Sequence, residues 1–455
     1  MDTSSPSALV SLALQAPQRT GHQGSSSSGV STGSHAHGSS FRCRLRVYVY
    51  EGLLAHLRQQ QRSGRFFGFP TTINSPRVNV SCLEAPCSFD TFEWNNIRQY
   101  TSEVPIYERL VTMCPVVSDA EQADVFLVPF YYGYMMTLGW QVKHSSTPPA
   151  WRAEHRQMIK AALSTNDALP YLNNRTASRH IFLFSCDSQF VNIDLHENLR
   201  TSLVVHLGDD AFHGSPALIN VQLRNLHHMP EGLIVPYRVS QWMPFGFNRS
   251  SFVGPRPLLL SMNVNMERHS VRRKVAAAIR EAASSLNVST DDAGGRLLLT
   301  SKMQGPYKAA QVALSSTFCL CPTGDSKGFT ARFYFSLLHG CLPIRVDGYR
   351  RNATIAAPTY PFPQLIDWSR LIIDMRPDEA PMLLPRLFAM SEREIEKRQS
   401  YLQHVAHWLL FDNEEHAHHD ASAAVIHTIQ SRVFGRRNAT QARSSYLVKT
   451  PDVPT

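Results

Sequence analysis

The chain has 455 residues, of which 43% are hydrophobic, and a formal net charge of +9 at pH 7. This length and hydrophobic content are enough for two domains, each with its own buried core. The 45 basic residues are dispersed without a run of five, which argues against a nucleic-acid-binding arm and favours phosphate or an acidic polymer as partner. A mildly basic, solvated surface would give the same net charge.

The first 40 residues differ in composition from the rest. Ser, Gly and His dominate residues 1–40 and leave almost nothing to bury, so we predict that this segment is disordered. No stretch reaches the roughly 18 consecutive apolar residues that span a bilayer. The apolar segment 8–16 lacks a basic flank and makes a poor signal peptide, so entry into a lumen would need a weak signal or an anchor that this sequence does not show.

Strand-like and helix-length segments alternate in the first half of the folded chain. Residues 45–50 alternate apolar and polar side chains with a period of two, which predicts a first strand. Residues 123–133 form a continuous apolar run, as expected of a strand that is covered on both faces of a parallel sheet. Further runs lie at 180–184, 202–208 and 232–236. The alternation predicts βαβ units.

The same pattern starts again after a Pro- and Gly-rich break at 250–257. Strands are predicted at 258–264, 296–300, 317–321 and 342–346, and helices at 270–286, at 307–314 and after Gly328. Ser270 is a predicted N-cap, and Ser391 with Glu394 forms a predicted capping box at the start of a long helix. The predicted organisation is two α/β domains at 41–250 and 251–412, followed by a C-terminal helix and tail at 413–455.

The cysteines and the glycosylation sequons bear on the compartment. Cys82 and Cys87 could close a small disulfide loop, whereas Cys319, Cys321 and Cys341 lie in apolar segments where we expect buried free thiols. The motif N-x-S/T occurs more often than we expect by chance, which is compatible with a secretory-pathway lumen. The sequon asparagines are Asn79, Asn174, Asn248, Asn287, Asn352 and Asn438.

The stretch CPTGDSKGFTARFYFSLLHGCLP, at 321–343, joins a strand, a loop, a helix and a short turn. Gly324 and Gly328 let backbone N–H groups approach a ligand, and a helix N-terminus adds unsatisfied donors and the positive end of its dipole. Arg332, about one turn into the helix, adds a fork of donors suited to a diphosphate. On spacing alone, a well-packed turn that binds nothing is the commoner meaning of such a unit.

A longer motif around this stretch resembles a known family. The order S-x-F-C-L-x-P-x-G-D, T-x-R and G-C-L-P is similar to the core signature of the exostosin-like glycosyltransferases, family 47. The segments RVYVYE, ADVFLVPFYY, VRRKV and FPQLIDW resemble other parts of that family, so the resemblance covers residues 45–410. The motif residues are Ser316, Phe318, Cys319, Pro322, Gly324, Asp325, Thr330, Arg332, Gly340, Cys341 and Pro343.

The resemblance implies a fold, an activity and a site. The implied fold is α/β with GT-B architecture: two facing Rossmann-like domains with a cleft between them, 41–250 on the acceptor side and 251–412 binding the nucleotide sugar. The implied activity is inverting transfer from a nucleotide sugar, expected to be a UDP-sugar, to a glycan acceptor in the Golgi or endoplasmic reticulum lumen, with no obligatory metal or other cofactor. A partner glycosyltransferase is a further candidate. The expected nucleotide-sugar-binding residues are Arg272, Thr323, Gly324, Asp325, Gly328, Thr330 and Arg332.

The helix after the loop departs from the family pattern. The family carries R-x-x-E-A there, and this chain has RFYFS at 332–336, so Phe335 stands where a glutamate is usual. A phenyl ring cannot accept the hydrogen bonds that this glutamate is expected to take from the donor ribose. A shifted acceptor such as Asp325 or Asp347, a different donor or loss of activity would each explain the change.

An inverting enzyme needs a general base near the acceptor hydroxyl. The candidate is Asp187, which follows the strand at 180–184 and matches a family aspartate; Asp209 and Asp210 follow the next strand. An aspartate after a strand is more often a turn or N-cap residue, which is the competing interpretation. Asp124 lies inside a family strand and is expected to be structural.

Other functions compete with the transferase. The main alternative is a catalytically inactive exostosin-like protein that binds glycan or scaffolds a partner transferase, which Phe335 favours. A thiol-dependent hydrolase built on Cys319 or Cys321 lacks a nearby histidine motif, and a glycosidase lacks an evident carboxylate pair. The HAHHD motif at 416–420 lacks the i, i+4 pair of a helical zinc site, so we expect a solvated helix end there.

Overall fold

The structure is a computed structural model of the chain. It describes residues 42–52, 102–129, 169–173, 176–184, 203–206, 233–239, 243–267, 269–289, 296–302, 304–323, 330–346, 360–411 and 419–434. The predicted disordered segment 1–40 and the predicted pair Cys82 and Cys87 lie outside these residues. Within them, no helix is both long enough and apolar enough to cross a membrane.

Five parallel strands form the first sheet, and they are hydrogen-bonded in chain order. On the side of β1 that faces away from β2, Val47 also forms an isolated parallel bridge with Val116. The chain therefore passes from one side of β1 to the other before it enters β2. The helix between them buries apolar residues in the same core as that strand. The elements are β1 (Val47–Val49), α1 (Glu103–Met113), β2 (Val125–Val128), β3 (His180–Phe184), β4 (Leu203–His206) and β5 (Leu233–Ile234).

The strands predicted from the apolar runs are present but shorter than the runs. The run at 123–133 yields β2, and the part of it beyond Pro129 lies outside the described residues. Every residue of β2 is buried, as expected of a strand covered on both faces. The mixed α/β class with parallel sheets is therefore confirmed for the first half.

A buried histidine is fixed by two hydrogen bonds on the aromatic face of this sheet. His180 stacks on Phe126 with the ring centroids 4.6 Å apart. Its Nδ1 lies 2.9 Å from the Thr176 carbonyl, which can only accept, so Nδ1 donates and Nε2 accepts from the Tyr50 hydroxyl at 2.8 Å. Burial lowers the pKa of His180 to about 4, so the ring is neutral at neutral pH.

The second sheet also consists of five parallel strands, in the order β10-β9-β8-β6-β7. Its central strand β8 is buried along its whole length, which matches the continuous apolar run in the sequence. The elements are β6 (Leu258–Asn263), α2 (Ser270–Ser285), β7 (Leu297–Thr300), α3 (Pro306–Leu314), β8 (Ser316–Pro322), α4 (Ala331–Leu338), β9 (Leu342–Val346), β10 (Ile373–Met375), α5 (Leu383–Phe388) and α6 (Glu392–Val405).

Two of the predicted helix starts differ in detail from the structure. Ser270 is the first helical residue of α2 rather than its N-cap, because the extended backbone that a cap requires is at His269. The Ser391 hydroxyl accepts from the Glu394 N–H at 3.2 Å, which confirms that cap. The Glu394 carboxylate instead accepts from Arg398 at 2.8 Å, an i, i+4 pair along α6.

Two disulfides occur in the described part of the chain, and the prediction of free thiols at Cys319 and Cys341 was wrong. Cys319–Cys341 joins β8 to the residue before β9, where the two strands pair side by side. Cys43–Cys114 joins the residues before β1 to the end of α1. Cys321 is a buried free thiol, as predicted. The sequence missed the pairing because it depends on which strands become neighbours.

The last described helix, α7 (Ala421–Val433), packs against α1. Its N-cap Asp420 is fully buried, accepts from the Ala423 N–H at 2.8 Å and pairs with Arg109 at 3.1 Å. Gln430 accepts from the Arg44 N–H at 2.7 Å. Asp420 therefore begins a buried helix, which corrects the predicted solvated helix end; residues 416–418 lie outside the described part.

One arginine fastens the turn that leads into β9. The Arg256 guanidinium donates to the carbonyls of Ala313, Ser316 and His339 at 3.0 to 3.3 Å. Gly340 lies against it with a φ of +71°, and a Cβ on Gly340 would lie 2.6 Å from Arg256 Nη2. The G-C-L-P turn thus depends on a residue without a side chain.

Candidate functional site

The second sheet has a topological switch point between β6 and β8. These strands are neighbours, but the chain continues from β6 to β7 on one side and from β8 to β9 on the other. Ligands of open α/β sheets bind in the crevice outside the carboxyl ends of the strands at such a point. The N-termini of α2 and α4, which follow β6 and β8, lie at this edge.

Arg272 spans the crevice. It is the third residue of α2, and its Nε donates to the Thr323 carbonyl at 3.3 Å while its Nη1 donates to the Asn265 carbonyl at 3.1 Å. Asn265 follows β6 and Thr323 follows β8. The guanidinium is therefore held over both strand ends.

Arg332 also lies at the switch point, and its guanidinium has fewer hydrogen-bond partners than that of Arg272. It is the second residue of α4 and is partly buried, and its guanidinium has no hydrogen-bond acceptor or carboxylate partner among the described residues. Burial and, to a lesser degree, the positive charge of Arg272 lower the pKa of Arg332 to about 10. Two cations thus lie close together at the switch point.

The helices that begin here do not use side chains as caps. His269 and Thr330, the N-caps of α2 and α4, make no capping hydrogen bond with their side chains. Their first N–H groups and the positive ends of their dipoles are suited to an anion. The N–H of Thr323, by contrast, donates to the Val346 carbonyl at 3.0 Å, so backbone donors for a ligand would come from residues after it.

Several predicted site residues lie outside the described residues. These are Gly324, Asp325 and Gly328 of the loop, the candidate base Asp187 and the alternative acceptor Asp347. Their roles stay predictions. The structure brings together Arg272, Thr323, Thr330 and Arg332.

Phe335 belongs to the core. It is 5% exposed, and its ring centroid lies 4.1 Å from that of His339. His339 donates from Nδ1 to the Phe335 carbonyl at 2.7 Å, and burial lowers the pKa of His339 to about 4. This face of α4 therefore offers no carboxylate at the position where the family pattern has one.

Two polar residues at the same edge were not predicted. Asn263 ends β6, and Gln304 precedes α3; the Gln304 N–H donates to Asn263 Oδ1 at 3.0 Å. Asn263 Nδ2 and Gln304 Oε1 are buried without a partner among the described residues. The sequence signal was the polar end of an apolar strand, which occurs in many strands that bind nothing.

The thiol chemistry considered from the sequence has no nucleophile here. Cys319 is bonded to Cys341, so its sulfur is not available. Burial raises the pKa of Cys321 to about 11, so that thiol stays protonated at neutral pH. The hydrolase hypothesis is therefore wrong for both cysteines.

A cavity of about 580 Å³ lies in the first sheet, at the amino ends of β1, β2 and β3. Its lining includes Arg46, Asp124, Arg179 and Arg432. Arg46 donates to the Asp124 carboxylate at 2.9 and 3.1 Å and lowers the pKa of that carboxyl. Arg179 donates to the Asp124 carbonyl at 3.1 Å. These charges hold strand ends together, which confirms that Asp124 is structural.

Two of the predicted sequons are in the described part, and both asparagines are exposed. Asn248 accepts from the hydroxyl of its own sequon serine, Ser250, at 2.6 Å. Asn287 follows α2 with a φ of 54°. Asn79, Asn174, Asn352 and Asn438 lie outside the described residues. Within the described ranges, no group of three or more His, Cys, Asp or Glu residues could hold a metal ion.

Comparison with known proteins identifies the family. A family model described as the Exostosin GT47 domain matches residues 42–387, which is well over half of the chain. No curated protein matches the chain. The matched range contains both parallel sheets up to α5, including the switch point with its two arginines. The chain therefore belongs to the exostosin-like GT47 family of glycosyltransferases.

Proposed function

We propose that this protein transfers a sugar from a UDP-sugar to a glycan acceptor with inversion at the anomeric carbon. The observation that carries the proposal is the pair Arg272 and Arg332 at the switch point. Arg332 is a partly buried cation without a hydrogen-bonded or carboxylate partner among the described residues, and such a charge is costly unless an anion balances it. A diphosphate is such an anion, and a nucleotide sugar is the donor expected of this family.

The two arginines would act on the leaving group. As the acceptor oxygen attacks, the bond between the anomeric carbon and the diphosphate oxygen breaks and negative charge develops on the diphosphate. Fixed donors aimed at that charge stabilise the transition state. Arg272 is already held by two carbonyls, so little reorganisation is needed. The acceptor proton goes to a general base, for which Asp187 is our candidate.

The described cysteines and asparagines support a lumenal location. Structural disulfides are typical of oxidising compartments, and both Cys43–Cys114 and Cys319–Cys341 are buried pairs. The exposed sequon residues Asn248 and Asn287 are accessible to a glycosylation enzyme. We therefore assign the protein to the Golgi or endoplasmic reticulum lumen, where a partner glycosyltransferase would also be found.

Calorimetric titration with UDP tests the donor site. Charge-assisted hydrogen bonds are worth about 1.5–3 kcal/mol, so Arg332→Ala and Arg272→Ala should each weaken UDP binding by roughly tenfold to a hundredfold. Arg273→Ala is the matched control, because Arg273 adjoins Arg272 but is exposed and donates to the Glu267 carbonyl. The control should bind UDP as the wild type does, and UDP should raise the wild-type melting temperature.

Two results would contradict the proposal. Equal affinity of the wild type, Arg332→Ala and Arg272→Ala for UDP would show that UDP binds elsewhere. Failure of a folded wild type to bind UDP would favour the second candidate, a catalytically inactive exostosin-like protein that binds glycan. The buried, apolar Phe335 is the observation that favours this alternative.

A further inference from the structure

Two amide side chains at the carboxyl edge of the second sheet each have one buried polar atom without a partner among the described residues. Asn263 is 6% exposed, and its Nδ2 has no hydrogen-bond acceptor among the described residues. Oε1 of Gln304 is likewise buried without a donor. An unsatisfied buried polar group destabilises a protein, so each such group in a native fold calls for a ligand or a bound water.

The orientation of the Asn263 amide is fixed. Its Oδ1 accepts from the Gln304 N–H at 3.0 Å, and the Thr300 hydroxyl, which donates to the Met262 carbonyl at 3.1 Å, lies 3.4 Å from the same oxygen. Because a backbone N–H can only donate, the oxygen must face Gln304 and the amino group must face away. Asn263 Nδ2 is thus a donor, and Gln304 Oε1 an acceptor, without a partner among the described residues. Neither side chain is charged.

Along the chain, this amide pair adjoins both the two-arginine site and an exposed aromatic pair. The Asn265 carbonyl, two residues after Asn263, accepts from Arg272. Tyr307, three residues after Gln304 in the first turn of α3, has its ring centroid 4.9 Å from that of Phe245. Tyr307 is 45% and Phe245 38% exposed.

A nucleoside diphosphate carries groups that match all three features. Its diphosphate suits the arginines, the polar edge of its base presents a donor next to an acceptor, and the flat face of its base stacks on aromatic rings. Side-chain amides of Asn and Gln are common readers of base edges, and stacking of aromatic residues on bases adds affinity. Sugar hydroxyls would not explain the exposed aromatic pair beside a neutral donor and acceptor as well as a base does.

We propose that Asn263 and Gln304 bind the polar edge of the nucleobase of the donor and thereby select which nucleotide sugar is used. This inference rests on the proposed function, because it needs a nucleotide diphosphate at the two arginines. It adds a base-reading role to residues that do not touch the reacting bond.

Two probes separate base recognition from diphosphate binding. The first probe is whichever of UDP, CDP, GDP and ADP binds the full chain most tightly, and the second is inorganic pyrophosphate, which has no base. The variants are Asn263→Leu and Gln304→Met, with Arg332→Ala for comparison. Gln311→Met is the matched control, since it makes the same substitution at a half-buried position of α3.

We expect the amide variants to lose affinity for the nucleotide but not for pyrophosphate. Asn263→Leu and Gln304→Met should weaken nucleotide binding by about fivefold to a hundredfold, the range for one good base contact. Both should leave pyrophosphate binding within about twofold of the wild type, because the arginines are intact. Arg332→Ala should weaken both probes, and Gln311→Met neither.

Several outcomes would overturn the inference. Unchanged nucleotide binding in folded variants would mean that the amide pair holds a structural water only. Equal weakening of both probes would mean that the pair supports the arginine site and reads no base. If Asn263→Leu does not fold, Gln304→Met decides, because Gln304 is only partly buried. Wild-type binding of pyrophosphate but of no nucleotide would sink this inference alone, and binding of neither probe would sink the proposed function with it.

Discussion

Gly340 combines two demands that other residues cannot meet. Its φ of +71° lies in the left-handed region, where a Cβ costs about 1–2 kcal/mol. A Cβ there would also lie 2.6 Å from Arg256 Nη2 and 2.7 Å from the Phe252 ring. The Arg256 guanidinium cannot retreat easily, because it is already shared among several carbonyls.

Gly340→Ala should therefore destabilise the fold by more than its backbone conformation alone predicts. Gly246 is the matched control, since its φ is +70° but nothing lies within 4 Å of its missing Cβ. Urea unfolding should give a loss of about 1–2 kcal/mol for Gly246→Ala and roughly twice that for Gly340→Ala, because crowding adds to the conformational term. Equal losses would show that the turn can shift without cost.

For single residues, the sequence revealed which residue types are present but not which groups they contact. The G-C-L-P motif marked Gly340 as part of a family signature, but the reason for the glycine lies in Arg256 and Phe252, far from it in sequence. Asn263 was inconspicuous for the same reason. An amide in a strand can be identified as a candidate ligand-binding residue only when the structure shows that one of its polar atoms has no hydrogen-bond partner.

The segment from β8 to β9 is the element that carries the anion site. It contains Thr323, Thr330 and Arg332, and the Cys319–Cys341 disulfide closes it into a loop with a sequence separation of 22. A bridge that spans such a loop stabilises a protein by about 3 kcal/mol. It also fixes both ends of the segment against the sheet.

Replacing both Cys319 and Cys341 by Ala should lower stability and also weaken pyrophosphate binding. The control is the double replacement of Cys43 and Cys114, which removes a disulfide with a sequence separation of 71 from the first sheet. This control should lose comparable stability but keep its affinity, measured by calorimetry well below both melting temperatures. If the two double variants lose affinity equally, the disulfide has no local role at the site.

Elements were more predictable than the contacts between them. Continuous apolar runs identified β2, β3 and β8, because a strand buried on both faces needs apolar residues at every position. The disulfides were missed, because pairing depends on strand order. Ser270 was mistaken for the cap of α2, since several polar residues at a helix start can each take that role.

Stability of the whole molecule should depend on pH through its buried histidines. The pKa values of His180 and His339 are lowered to about 4 by burial, against 6.5 for an exposed histidine. Between these values the unfolded chain binds protons that the folded chain does not. The free energy of unfolding is therefore unaffected by these groups above pH 6.5 and falls as the pH drops from 6.5 towards 4.

Each histidine should remove up to about 3 kcal/mol of stability by pH 4, from 1.36 kcal/mol per pKa unit. Urea unfolding at pH 7.5, 6.5, 5.5 and 4.5 measures the effect. The variant His180→Gln should lose less stability than the wild type over the same interval, because it no longer takes up that proton on unfolding. Parallel curves for the two proteins would mean that the pKa of His180 is the same in the folded and unfolded states.

The packing of α7 against α1 has a consequence for how the protein is made. Asp420, which begins α7, pairs with Arg109 in α1, and Gln430 holds the backbone of Arg44 next to the first strand. Domains usually fold as units while the chain emerges from the ribosome, the earliest one first. Here the helix that packs on α1 is synthesised some three hundred residues after it. The apolar surface of α1 must therefore stay uncovered until α7 has been synthesised, which makes the nascent N-terminal half a natural client for chaperones.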